Sequence, residues 1–418
     1  MNAPSIEQRL SDSHAWLSSL GPEAEQDLIR LANQNSGSSH LSGLHKMADM
    51  LVEWMDFESD GASIKASRVD LPERTLVSDL GTVDSISTGP ILRWDARPEC
   101  ARRVLLVIHY DTVFGQDHSF QSCTKIADDK LNGPGVADAK GGIVVLRNAI
   151  RAAEHFGLVD PIGWTVLLNP DEEVGSLNST EYLQSIAGDF DFGLLFEPSL
   201  PTGELVAERK GSGNFDIVVR GRSAHAGRHF EEGRNAVALL SQIFVELDAL
   251  NRELEGCTVN VGQFRGGGAV NVVPALAVGR LNIRVKDDPT VERVSARVEQ
   301  IVEQANQLDG FEVELYGGMT SPPKTRTPGM SRLMEVIEDT IRRDTGHQVS
   351  WRSTGGVCDG NKLAAAGLPN IDTLGPAGGG LHSSDEWVQV SSLTVKAKII
   401  TSLLARFAND EYPQLARK

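Results

Sequence analysis

Cysteine is scarce in this 418-residue chain. The four residues, Cys100, Cys123, Cys257 and Cys358, form no CxxC pair, which excludes a zinc ribbon and a thioredoxin-type redox motif. Long apolar runs are missing as well. The strongest, such as Val104-Leu105-Leu106-Val107-Ile108, falls far short of the ~20 residues that cross a bilayer, so no membrane partner is expected. Positive charge is in deficit: 40 Lys and Arg against 57 Asp and Glu leave a formal charge of −17. That excess opposes nucleic acid or an anionic membrane surface as the main partner, while a local basic pocket can still take an anionic small molecule. The first residues carry neither the basic nor the apolar region of a secretory signal, and together with the cysteine usage this predicts a cytoplasmic protein. There is no GxSxG for a serine nucleophile, and no Walker A loop or GxGxxG between a strand and a helix for clamping phosphate. Internal repeats, heptads and low-complexity tracts are absent too.

What is present is an ordinary globular mixture, 40% hydrophobic and 23% charged, enough for a sizeable core in two or three domains. Residues 5–56 carry apolar groups at helical spacing, with Trp16, Leu17, Leu20, Leu28, Leu31, Leu44, Met47, Leu51 and Trp54 on buried stripes. Beyond about residue 63, apolar strands at 103–109, 164–169 and 192–196 alternate with a helix at 142–155, and each strand ends in a polar cluster. This alternation predicts an α/β domain with a central mixed sheet flanked by helices. Ligands of such sheets sit outside the carboxyl ends of the strands. From 210 to 321 the order becomes βαββαβ, the signature of a ferredoxin-like sandwich, read as a domain inserted into the first. The predicted organisation is therefore a catalytic domain of residues 1–209 and 322–418 interrupted by an insert of 210–321.

Four segments place metal-ligating side chains at probable strand ends: His109-Tyr110-Asp111-Thr112-Val113, Asp138-Ala139-Lys140, Asp171-Glu172-Glu173 and Glu197-Pro198. A fifth, Leu381-His382-Ser383-Ser384-Asp385-Glu386, follows far downstream. Each has a bland reading: His109 as a core histidine, Asp138 as a helix cap, Glu172-Glu173 as a solvated helix start, Glu197 and His382 as loop residues. Jointly these readings fail, because two His and at least three carboxylates at successive strand ends suffice for two metal ions. The His-x-Asp pair at 109 and 111 fits a ligating imidazole oriented by a carboxylate.

With these motifs the chain, from about residue 40 to 408, resembles the dinuclear-zinc exopeptidases and amidohydrolases that include aminoacylase, acetylornithine deacetylase and succinyl-diaminopimelate desuccinylase. It resembles most the glutamate carboxypeptidase (carboxypeptidase G) branch, which also has His-x-Asp-Thr-Val, a Glu-Glu pair, Glu-Pro and a late His. The resemblance implies one zinc on His109 and Glu197, the other on Glu173 and His382, and Asp138 bridging them through a residue followed by a cis peptide. It implies Glu172 as general base and Asp111 as the group orienting His109. In the insert it implies that His225 reaches a partner's site across a homodimer, and that Asn271, Arg284 and the backbone near Gly356 receive the substrate's free carboxylate. The apolar stripe Val237, Leu240, Phe244 and Leu247 and an exposed sheet edge are the features expected to build that dimer.

The implied activity is hydrolysis of an amide bond that releases a C-terminal amino acid from an N-acyl amino acid or short peptide, with a deacylase or desuccinylase as the alternative. Cobalt or manganese could replace zinc. A two-metal phosphoesterase and a binding protein with a decayed site are the other classes considered. One departure is visible. Where the carboxypeptidase G branch calls for a basic residue after Glu-Pro, this chain has Thr202-Gly203-Glu204-Leu205, with Arg209 and Lys210 further on. A leaving amino acid with a neutral side chain is thus as compatible as glutamate.

Overall fold

Residues 4–59, 61–200 and 202–417 are described by a computed structural model. The strand Arg103–His109 is apolar along its length because both of its faces are covered. Successive side chains point to opposite faces. Val104, Leu106 and Ile108 enter one core with Ile143, Leu146 and Leu403. Leu105 and Val107 enter another with Leu183, Ile186 and Leu363. The strand lies third in a six-stranded sheet ordered Asn370–Ile371, Phe192–Leu195, Arg103–His109, Gly163–Asn169, Ile91–Ala96 and Ser67–Val69. The first four strands are parallel. Ile91–Ala96 runs antiparallel to Gly163–Asn169 and pairs antiparallel with Ser67–Val69, so the sheet is mixed as the alternation predicts.

Helices Lys140–His155 and Val390–Ala408 cover one face, and Thr180–Ala187 and Asp359–Ala365 the other. The N-terminal helices Ile6–Ser19, Gly21–Ala32 and Leu41–Trp54 add Leu17, Leu28, Leu31, Leu44, Met47, Leu51 and Trp54 to the first core. Trp16 and Leu20 stay half-buried. Among the described residues, no helix is long and apolar enough to cross a membrane.

Residues 211–321 form a separate antiparallel sheet. Its spatial order is Cys257–Gly266, Leu276–Val285, Gly211–Arg220, Glu312–Ser321, and the helices Ala236–Glu253 and Asp288–Asn306 pack on it. It has its own core around Ile217, Leu240, Ile283 and Val298. The apolar stripe read as a dimer surface behaves differently from the expectation: Leu240, Phe244 and Leu247 are buried against this sheet, and Val237 packs on the same core. Helical periodicity identifies residues that share a face but not what covers that face. Among the described residues, the edge strand Cys257–Gly266 has a strand neighbour on one side only, and the Asn251 side chain hydrogen-bonds the backbone of Val259.

The chain leaves for the insert and returns at neighbouring points. Arg209 and Lys324 exchange two backbone hydrogen bonds, each of 3.0 Å. A second contact between the units comes from a hairpin absent from the sequence reading, Arg74–Val77 paired with Val83–Ile86. Arg280 of the insert donates to the Val77 carbonyl and to Asp79, and Arg220 donates to the Gly81 carbonyl. Val77 is buried with Val218 and Val278. Most of the hairpin's side chains are exposed, so no apolar pattern marks its strands.

Candidate active site

The carboxyl ends of the parallel strands converge on one cluster. His109 closes its strand and is fully buried. Its Nδ1 faces the Asp111 carboxylate at 3.2 Å and the Asp111 carbonyl at 3.1 Å. Nε2 is thereby aimed at Asp138 Oδ1, 3.0 Å away, and Glu197 Oε2, 3.6 Å away. Asp111 has a second task that the sequence did not reveal. Its two oxygens accept the backbone N–H groups of Glu172 and Glu173 at 3.1 and 3.2 Å, and the Ser38 hydroxyl at 2.7 Å. One carboxylate thus fixes both the imidazole and the turn that carries the paired glutamates.

The Asp138–Ala139 peptide is cis. Asp138 offers Oδ1 to His109 and Oδ2 to His382, whose Nε2 is 3.4 Å away. The same His382 nitrogen lies 3.2 Å from Glu173 Oε2. His382 keeps a side chain 58% exposed and adopts a left-handed backbone, in the loop between the short strands Gly378–Gly379 and Trp387–Gln389. Glu197 is positioned by close backbone packing. A Cβ on Gly142 or on Gly375 would sit 2.1 Å from the carbonyl oxygen of Phe196, so only glycine lets both segments approach the end of that strand.

Glu386 is the clearest residue missed. It is buried, and its oxygens accept the backbone N–H groups of Gly135, Ala137 and Asp138 at 3.1, 2.9 and 3.0 Å. It therefore holds the loop that presents Asp138, and burial pushes its carboxyl up to about 7. Its place in the late His motif was visible, but a contact spanning 248 residues leaves no local pattern.

The donor set fits a pair of divalent cations. Single atoms of His109, Asp138 and Glu173 lie within 4.8 Å of one another. Glu197 and His382 adjoin them. Among the described residues, no Lys or Arg pairs with Asp138, Glu172, Glu173 or Glu197. Arg209, whose charge reaches Glu197, is clamped by both oxygens of Asp372 at 2.8 Å. Burial pushes Glu173 up to about 7 and Glu172 well above the usual carboxylate range. Buried like charges without cationic side chains call for an ion of the opposite sign. Imidazole nitrogen with carboxylate oxygen is a donor set suited to zinc.

The insert's residues stand apart from this cluster. His225 is exposed, and its Nδ1 accepts the Gly227 N–H at 3.1 Å, which leaves the proton on Nε2. It makes no hydrogen bond or ion pair with the cluster of its own chain among the described residues. Asn271 is exposed on the neighbouring segment, which the Ala226 N–H to Asn271 carbonyl bond ties to the His225 loop. Arg284 donates to Asn282 Oδ1 at 2.9 Å and to the Gly355 carbonyl at 3.3 Å, and no carboxylate of the described residues pairs with it. Gly356 follows, its carbonyl accepting from Arg209. After the Glu-Pro turn, Glu204 pairs with Arg352 at 3.5 Å.

The chain is 27% identical over 294 residues to carboxypeptidase G2 of Pseudomonas sp. (strain RS-16), covering 70% of this chain and 71% of that protein. It is 29% identical over 332 residues to the succinyl-diaminopimelate desuccinylase of Burkholderia cenocepacia, covering 75% and 78%. Its fold matches an M20 family metallo-carboxypeptidase from Sulfolobus solfataricus with a TM-score of 0.72 at 17% identity, over 93% of this chain and 99% of the other. The profile of peptidase family M20/M25/M40 runs through residues 105–406, from the central strand that ends in His109 to the helix that follows His382. The chain therefore belongs to that family and is a hydrolase of its metallopeptidase and amidohydrolase kind.

Proposed function

We propose that this hydrolase uses two zinc ions to cleave the amide bond of an N-acyl amino acid or short peptide, releasing the C-terminal amino acid. The supporting observation is the cluster of two imidazoles and three carboxylates, buried except at His382, with which no Lys or Arg of the described residues pairs. In this reading His109 and Glu197 would hold one ion and Glu173 and His382 the other, with Asp138, which faces both imidazoles, serving both. Cobalt or manganese would serve the same donors. Bound there, the ions would supply Lewis acidity and lower the pKa of water to about 7. Glu172, whose side chain has no hydrogen-bond partner among the described residues, takes the proton of the attacking water and returns it to the leaving amine. A panel of N-acyl amino acids and dipeptides, run with metal analysis, tests the proposal. Absence of amide hydrolysis across the panel by metal-loaded protein would overturn it.

Arg284, Asn271 and the backbone at Gly356 receive the substrate's α-carboxylate. Charge-assisted hydrogen bonds contribute about 1.5–3 kcal/mol each. Arg284→Ala should therefore raise KM by about 10–100-fold for substrates with a free carboxylate and little for their amidated forms. Equal effects on both would show that Arg284 does not read that group. Arg209 is held by Asp372, and Glu204 stands where the glutamate-specific branch has a base. This favours a leaving amino acid with a neutral side chain, and it keeps the deacylase or desuccinylase reading as the second candidate.

The chain acts as a cytoplasmic homodimer in this proposal. Its four cysteines are unpaired, and the edge strand Cys257–Gly266 is available to a second copy. The Nε2–H of His225 then donates to the scissile carbonyl in the partner's site. Glu172→Gln and His225→Ala, each inactive alone, should complement when co-expressed. About half of randomly formed dimers are mixed, and each has one site with both groups intact, so roughly a quarter of wild-type activity should return. If mixed dimers stay as inactive as the parents, His225 acts within its own subunit.

A further inference from the structure

A cleft of about 1000 Å³ opens between the hairpin of residues 74–86 and the outer face of the insert's sheet. Arg74 and Val83 line it from the hairpin, Asn214 and Asn260 from the sheet. Val174 and Leu177 form a further wall, on the loop that begins with Glu172 and Glu173. Asn282 also borders the cleft, and its Oδ1 accepts from Arg284. The cleft is thus walled in part by the segment that follows the candidate general base and by the asparagine that accepts from Arg284.

The two cations lining it differ sharply. Arg280 is fully engaged, donating to Asp79, Gln263 and the Val77 carbonyl at 2.6 Å each and lying 3.5 Å from Asp216. Arg74 is half-buried, yet its guanidinium has no hydrogen bond or ion pair among the described residues. The charge it faces is Asp171, whose oxygens already accept the Ser179 hydroxyl at 2.6 Å and the Asn178 N–H at 2.7 Å. A partly desolvated guanidinium without acceptors is costly, and its planar fork matches a carboxylate bidentately. The walls offered by Val83, Val174 and Leu177 suit methylene groups leading to that carboxylate.

We propose that this cleft is the acyl-side subsite and that Arg74 binds a carboxylate at the far end of the acyl group. The enzyme then selects dicarboxylic acyl groups over neutral ones of equal length. The inference rests on the amide-hydrolase reading above.

The test compares an N-succinyl amino acid with its N-butanoyl analogue, whose acyl group has the same chain length and no charge. In wild type, kcat/KM should favour the succinyl compound by at least ~10-fold, expressed in KM, as expected for charge-assisted hydrogen bonds. Arg74→Gln should bring the ratio to about 1, and Arg74→Lys should retain part of it. A ratio unchanged in Arg74→Gln, or a wild type without the preference, overturns the subsite. Equilibrium binding of both compounds is measured in parallel on Glu172→Gln protein, with and without Arg74→Gln. This arm separates the two readings. Should metal-loaded wild type hydrolyse neither these compounds nor any member of the panel above, the proposed amide hydrolysis fails, and tighter succinyl binding that depends on Arg74 still supports the subsite, while equal binding of both compounds overturns it.

Discussion

Glu172→Gln should lower kcat by about 10²–10⁴-fold, the usual scale for removal of a general base, and leave both metals in place. The substitution keeps the size of the side chain and removes only its ability to take a proton. Its backbone is secured independently, because the Glu172 and Glu173 N–H groups both reach Asp111. The ligating atoms that lie together belong to His109, Asp138 and Glu173, and not to Glu172. Glu173→Gln should behave differently. Glu173 Oε2 lies 3.2 Å from His382 Nε2, so loss of its charge should weaken one metal and lower the measured stoichiometry. Elemental analysis of the two purified variants, beside steady-state kinetics, checks the assignment. Metal loss in Glu172→Gln with full occupancy in Glu173→Gln would mean that the two roles are reversed.

Removal of the metals should abolish hydrolysis altogether, and zinc or cobalt should restore it. The chain's own residues supply no substitute for that positive charge: among the described residues no Lys or Arg pairs with Asp138, Glu172, Glu173 or Glu197, and the contacts of the cluster are to His109 and His382. Arg209 and Lys324 are both held by Asp372, Lys324 through a 2.6 Å contact. A ligand that binds only the folded state also stabilises it, by about 2.7 kcal/mol when free metal exceeds Kd 100-fold. Thermal unfolding should therefore shift upward on metal addition, and by less in Glu173→Gln. Full activity in a preparation shown by elemental analysis to hold no metal would refute the two-ion mechanism.

Short-range chemistry made much of this protein legible from sequence. The apolar run before His109, the helix after Asp138 and the βαββαβ order between 210 and 321 each follow from local periodicity, and the structure builds them as expected. The ligand types could be named because strand ends in an α/β sheet collect polar residues. That His109, Asp138, Glu173, Glu197 and His382 share one cluster is a tertiary fact, produced by parallel strands whose carboxyl ends lie side by side.

The residues that sequence could not reveal act over long separations. Glu386 holds the Asp138 loop, Asp111 holds the paired glutamates, and Asp372 engages Arg209, a cation that follows the Glu-Pro turn. A mostly exposed hairpin became the wall of a cleft only by docking on the insert. The helix stripe around Leu240, Phe244 and Leu247 went the other way, from expected interface to buried core. Sequence by itself determined which segments are helix or strand and which carry ligating atoms, because those depend on a residue and its near neighbours. Only the tertiary structure decided which charges are already neutralised and which face is covered, because hydrogen bonding and burial are settled by groups hundreds of residues apart.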